Sequence, residues 1–87
     1  MTDLDDRFTK AQVDVKTLTS RPSNDDLLAL YATFKQATAG EASKATKPGR
    51  FDLVGKAKYD AWTKLAGISA DEAKQRYVTT VDRLLGR

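Results

Sequence analysis

Apolar residues recur at helical spacing in four separate stretches. In the first, Leu4, Phe8, Ala11, Val15 and Leu18 follow at intervals of four, three, four and three, which predicts a helix from Leu4 to Leu18, capped by Thr2 or Asp3. The second carries Leu27, Leu30, Phe34 and Ala37 and predicts a helix from Asn24 to Ala39. It opens on Pro22 and Ser23 with Asp25 and Asp26 in the first turn, and closes at Gly40, where a residue without Cβ suits the left-handed turn. The third, Val54, Ala61, Trp62 and Leu65, predicts a helix from Leu53 to Leu65, with Lys58 interrupting its stripe. The fourth, Ala73, Tyr77, Val81 and Leu84 with Val78 and Leu85 beside them, predicts a helix from Ala70 to Leu85, and Ser69-Ala70-Asp71-Glu72 reads as its capping box.

The connections set the topology. Thr19–Pro22 and Ala66–Ile68 are short turns, which reverse the chain. Gly40–Asp52 is long, lacks apolar periodicity and carries the turn signal Pro48-Gly49. Extended, those residues reach ~40 Å, more than the ~24 Å of a sixteen-residue helix. Helix three is therefore free to run parallel to helix two. The prediction is an all-α chain: a single domain over residues 1–87, with four helices arranged up-down-down-up and a long crossover between helices two and three.

Composition narrows the chemistry. The 87 residues include no cysteine and no histidine, so thiolate nucleophiles, disulfides, cysteine metal sites and the commonest general base are all excluded. No constellation of the remaining acids, lysines, tyrosines or serines reads as catalytic. An enzyme is not expected, and neither is a metal site or a cofactor. The longest apolar run, Leu27–Ala32, is six residues against the ~20 of a membrane span, and the acidic N-terminus lacks the apolar core of a signal peptide. A cytoplasmic protein is expected.

Net charge is +3, and its distribution is uneven. Residues 1–26 hold six acids against four bases, whereas residues 44–64 hold Lys44, Lys47, Arg50, Lys56, Lys58 and Lys64 against Asp52 and Asp60. A local positive region on a nearly balanced chain suits a compact anion better than a long polyanion. In helix two, Tyr31, Phe34 and Lys35 stand at i, i+3 and i+4, so two rings and a cation share a face that suits a nucleotide. Lys16 and Lys58 likewise adjoin apolar stripes on helices one and three, with Tyr31 and Tyr77 as hydroxyl donors. The competing reading of each lysine is a snorkelling side chain, and of each tyrosine a core ring with an exposed hydroxyl.

The stretch Pro22-Ser23-x-Asp25-x-Leu27-x-x-Leu30-Tyr31-Ala32-x-Phe34-Lys35-Gln36-Ala37-Thr38-x-Gly40 resembles the signature of the acyl-CoA-binding protein family. Phe8-Thr9-Lys10-Ala11, Val15-Lys16, Lys47-Pro48-Gly49 and Gly55–Trp62 extend the resemblance over essentially the whole chain. The resemblance implies the same four-helix fold and a non-catalytic carrier that binds medium- to long-chain fatty acyl-CoA as its ligand. It further implies that Lys35 and Lys58 hold the 3′-phosphate and that Tyr31 and Phe34 meet the adenine, with Lys16 and Tyr77 in support. Leu28 joins this ligand-binding set, and the acyl chain lies in an apolar groove. Phe34 stands where many relatives have tyrosine, and Val54 where many have lysine, so by comparison with the family one hydroxyl hydrogen bond is expected to be lost and Val54 does not supply the lysine's phosphate contact.

A monomer is expected, in transient contact with acyl-CoA-using enzymes or a membrane surface. The alternatives are a small basic helical module binding nucleic acid, or a protein-interaction module built on the long loop. The first conflicts with the scatter of the bases over several helices and the absence of a recognition motif.

Overall fold

The computed structural model describes residues 3–45 and 47–87, without the side chain of Lys44. Thr2, one of the two caps expected for helix one, and the Lys44 side chain lie outside the described residues. Four α-helices form: α1 (Asp3–Asp14), α2 (Asn24–Thr38), α3 (Leu53–Thr63) and α4 (Ala70–Leu85), with no strand among the described residues.

Local chemistry accounts for most of the boundaries. Ser23 Oγ accepts from the Asp26 amide and Ser69 Oγ from the Glu72 amide, each at 3.1 Å. Gly40 and Gly86 end α2 and α4 with φ of 85° and 77°, a conformation that side chains with a Cβ resist. Asp52 caps α3, its Oδ1 accepting from the Gly55 amide at 2.9 Å. A Cβ on Gly55 would stand 2.3 Å from Asp52 Oδ2, so a larger residue there would require the Asp52 side chain to shift.

Two helices end earlier than their periodicity suggests. The first tightens into a 3₁₀ turn at Val15–Thr17, where Thr17 Oγ1 donates to the Asp14 carbonyl at 2.6 Å. The third stops at Thr63, whose hydroxyl donates to the Asp60 carbonyl at 2.7 Å. Inside the long connection, residues Ala42–Lys44 form a second 3₁₀ turn.

Three sets of contacts give the helix directions. Asp5 pairs with Lys74 at the start of α1 and α4, and Asp14 with Arg87 at their ends, so these two run parallel. Asp26 pairs with Arg83 and Phe34 meets Tyr77, so α2 opposes α4. Lys58 reaches Tyr31 and Trp62 reaches Gln36, so α3 runs with α2. The order is up-down-down-up. Because α4 packs on α1 and α2 while α3 packs on α2, the molecule is flat, 38 × 31 × 16 Å.

Two buried clusters result, one on each side of α2. Phe8, Ala11, Leu30, Tyr77, Val78 and Val81 form the first, with Val15, Phe34, Ala37, Leu84 and Leu85 packed against it. Ala32, Ala42 and Trp62 form the second, with Tyr59, Ala61 and Leu65 alongside. The apolar stripe of α2 serves the first cluster. Its other side buries Ala32, Thr33 and Gln36, a face that hydrophobic periodicity did not pick out. Thr33 satisfies itself, donating to the Ala29 carbonyl at 2.8 Å, and Gln36 is satisfied by its neighbours across the fold. On α3 only Trp62 is buried, and Leu53 and Val54 at its start are 75% and 68% exposed.

Candidate ligand-binding site

Tyr31, half-buried in the middle of α2, is the side chain around which the candidate residues gather. On one side lies a cavity of about 580 Å³ between the end of α1, the α1–α2 turn, α2 and α4. Lys16, Tyr31, Phe34 and Tyr77 all line it, over a floor that includes Val15, Leu18, Pro22 and Leu30. On the other side Tyr31 and Lys35 line a cavity of about 390 Å³ with Tyr59, Trp62, Pro48 and Ala45. A third, also about 390 Å³, opens between the start of α2 and the start of α3 and is bounded by Leu27, Leu28, Leu53, Val54, Ala57 and Lys58. Arg21 and Leu27 line both the first cavity and the third, so these two adjoin.

The cations differ in how they are employed. Lys10, Lys74, Arg76, Arg83 and Arg87 each pair with a carboxylate. Lys16, Lys35 and Lys58 have no carboxylate partner among the described residues. Lys58 Nζ stands 5.2 Å from the centre of the Tyr31 ring, and Lys35 Nζ 5.2 Å from the centre of the Trp62 ring. Both are cation–π distances, worth about 0.5–1 kcal/mol at an exposed site, and they steer the ammonium groups without neutralising them. The charge stays available to an anion.

Tyr77 is held by its ring. It meets Phe8 edge-on at 5.2 Å and Phe34 at 6.3 Å, while Phe8 and Phe34 stack at 6.1 Å. Burial pushes the Tyr77 phenol above its ordinary value, so it remains a neutral donor at physiological pH. Its hydroxyl has no hydrogen-bond partner among the described residues, and the residue borders the cavity shared with Lys16.

Trp62 is 4% exposed, and its indole N–H donates to Gln36 Oε1 at 3.1 Å and to the Gly40 carbonyl at 2.8 Å. Gln36 Nε2 in turn donates to the Ile68 carbonyl at 2.8 Å. This clasp joins α2, the start of the crossover, α3 and the α3–α4 turn, and it fixes the ring beneath Lys35. Apolar spacing places Trp62 on the stripe of helix three but gives no sign of its bond to Gln36, whose partners lie on other elements.

The predicted residues thus fall into three neighbouring cavities that meet at Tyr31 and along Arg21 and Leu27. Lys16, Tyr31, Phe34 and Tyr77 share one; Lys35 joins Tyr31 in the next; Leu28 and Lys58 line the third. A further cavity of about 580 Å³, between α2, α3 and α4, shares only Leu28 with this set, and its Arg76 is already paired with Glu72. No cluster of carboxylates that could hold a metal occurs among the described residues.

Residues 5–81 match the family model described as acyl-CoA-binding protein. The chain belongs to the acyl-CoA-binding protein family. It is 50% identical over 82 residues to an acyl-CoA-binding protein homolog of Manduca sexta, covering 94% of this chain and 91% of that one. It is 49% identical over 80 residues to homolog 1 of Caenorhabditis elegans, with 92% of each chain covered. The crystal structure of acyl-CoA-binding protein 2 of Oryza sativa superposes with a TM-score of 0.87 at 40% identity, over 95% of this chain and 91% of that one. That of the Moniliophthora perniciosa protein superposes with a TM-score of 0.85 at 37% identity, over 99% and 82%.

Membership of the acyl-CoA-binding protein family carries the four-helix fold, and acyl-CoA is the ligand of its members, which are non-catalytic carriers. No helix among the described residues is long and apolar enough to cross a membrane.

Proposed function

We propose that the chain, acting as one domain over residues 1–87, carries medium- to long-chain fatty acyl-CoA esters as a cytoplasmic monomer. The observation that carries this reading is the set of three lysines without carboxylate partners, from three different segments, around Tyr31. In the proposal Lys35 and Lys58 bind the 3′-phosphate, Tyr31 and Phe34 flank the adenine, and Lys16 and the Tyr77 hydroxyl support the head group. Leu28, with Leu27 and Ala57 beside it, lines the path of the acyl chain. A hydrogen bond to a charged group contributes about 1.5–3 kcal/mol, so two or three such contacts suffice to hold a compact dianion. The acyl chain adds at most ~0.8 kcal/mol per buried methylene.

Calorimetric titration with a series of acyl-CoA esters tests the proposal. Affinity should climb with chain length until the groove is full and then level off. A series with no dependence on length overturns the groove, and equal affinity for ligands without the 3′-phosphate overturns the roles given to Lys35 and Lys58.

A further inference from the structure

Phe51 is 90% exposed, and Leu53 and Val54 follow at 75% and 68%, an apolar tip at the turn that opens α3. Exposed cations flank it: Lys47 and Arg50 before, Lys56 after. Lys56 lies three residues beyond Leu53, on the same side of the helix. The only acid between Lys47 and Lys58 is Asp52, and its carboxylate is turned onto the Gly55 amide as the helix cap. The tip is therefore apolar at its centre, positive at its rim, and covered by no other part of the described chain.

We propose that this tip docks reversibly on an anionic lipid surface, Phe51 entering the boundary between headgroups and acyl chains while Lys47, Arg50 and Lys56 stay at the headgroups. Lipid binding of this kind scales with buried apolar area plus attraction of cations to anionic lipid. Lysine and arginine stems accommodate the depth by snorkelling. A protein partner fits less well. A specific protein interface buries about 1,200–2,000 Å² in total, and three side chains on a projecting turn offer only a fraction of that. Leu53 and Val54 also border the cavity that contains Leu28 and Lys58, so docking turns the mouth of that cavity toward the bilayer. The proposal does not depend on the chain binding acyl-CoA.

The test is sedimentation of the ligand-free protein with vesicles of phosphatidylcholine alone or of phosphatidylcholine with phosphatidylserine, over a range of salt. The protein should bind the anionic vesicles, lose binding as salt rises, and bind the neutral vesicles far more weakly. Phe51→Ser should weaken binding about tenfold or more, and Arg50→Glu roughly thirtyfold. Both positions are exposed, so far-UV circular dichroism should be unchanged, and acyl-CoA affinity in solution should match the parent. Binding to neither vesicle overturns the proposal, as it would if the tip's occupant were an acidic protein surface. Equal binding to both vesicles, variants that bind like the parent, or a Phe51→Ser protein with altered solution affinity for acyl-CoA overturn it too. None of these results bears on whether the parent binds acyl-CoA, which the solution titration reads separately.

Discussion

The two sides of α2 are held by different physics. Toward α1 and α4 the contact is ring against ring and branched aliphatic against helix: Phe8, Phe34 and Tyr77 in mutual contact, with Val81 fully enclosed. Toward α3 the buried set is small, Ala32, Ala42 and Trp62, and one amide side chain makes the connection. A core of rings tolerates exchange of similar volumes, because dispersion and burial are non-directional. A core closed by Gln36 does not, because a buried acceptor that loses its donor keeps the full cost of its lost hydration. The contrast separates a side that tolerates exchange of similar volumes from a side that is hard to redesign.

The largest effect should come from Trp62→Ala. It removes the ring and leaves Gln36 Oε1 and the Gly40 carbonyl without their donor, and urea unfolding should show a loss of about 3–5 kcal/mol. Trp62→Phe sharpens the point: it keeps an aromatic ring but no N–H, and should still lose about 1–3 kcal/mol. A phenylalanine variant as stable as the parent would mean that α3 is held by volume alone, and the contrast between the two sides would collapse.

Lys35→Ala comes next in size. It should weaken acyl-CoA binding more than tenfold in calorimetry, about 1.5–3 kcal/mol, with helicity intact. Unchanged affinity would remove Lys35 from the site.

Tyr77→Phe is the mirror of Trp62→Phe on the other side of α2. The phenol hydroxyl makes no internal hydrogen bond among the described residues, so stability should stay within about 0.5 kcal/mol. Acyl-CoA affinity should fall by about 0.5–1.5 kcal/mol if that hydroxyl serves the ligand. A stability loss with unchanged affinity would reverse both assignments.

The smallest effect is one of pH. Hydrogen bonds from Lys10 and then Arg87 hold the Asp14 carboxyl below its ordinary value of 3.8. A depressed folded value means that the stabilisation is present above the unfolded pKa and is lost as pH falls through the folded one. Asp14→Asn should therefore flatten the acid limb of melting temperature against pH, and added salt should shrink the difference, since both pairs are solvent-facing.

What the sequence made legible follows from how local each signal is. Ser23, Ser69, Gly40 and the bounds of α4 were readable because a cap or a left-handed turn depends on residues within a few positions. The crossover was readable from its length, and its consequence, α3 parallel to α2, is borne out by the Lys58–Tyr31 and Trp62–Gln36 contacts. Gln36 was not readable as a core residue, because its partners lie 26 and 32 residues away and nothing in its own helix announces them. Val54 misled for the opposite reason. Its spacing to Ala61, Trp62 and Leu65 looks like a core stripe, but the start of α3 lies against too little protein to cover it. Among the candidate site residues, the helix-two face was legible as a unit. That Lys35 would rest over Trp62 and Lys58 over Tyr31 was not, since each pair spans two helices.

The lone tryptophan of this chain is enclosed, locked by two hydrogen bonds, and overlain by an ammonium group 5.2 Å from its ring centre. Indole emission responds to charges held at such range. If Lys35 meets the ligand phosphate as proposed, an anion arriving there should draw that charge off the ring, and the emission should shift during titration with acyl-CoA. On that reading the chain would carry its own optical gauge of occupancy, readable without a label or an engineered reporter.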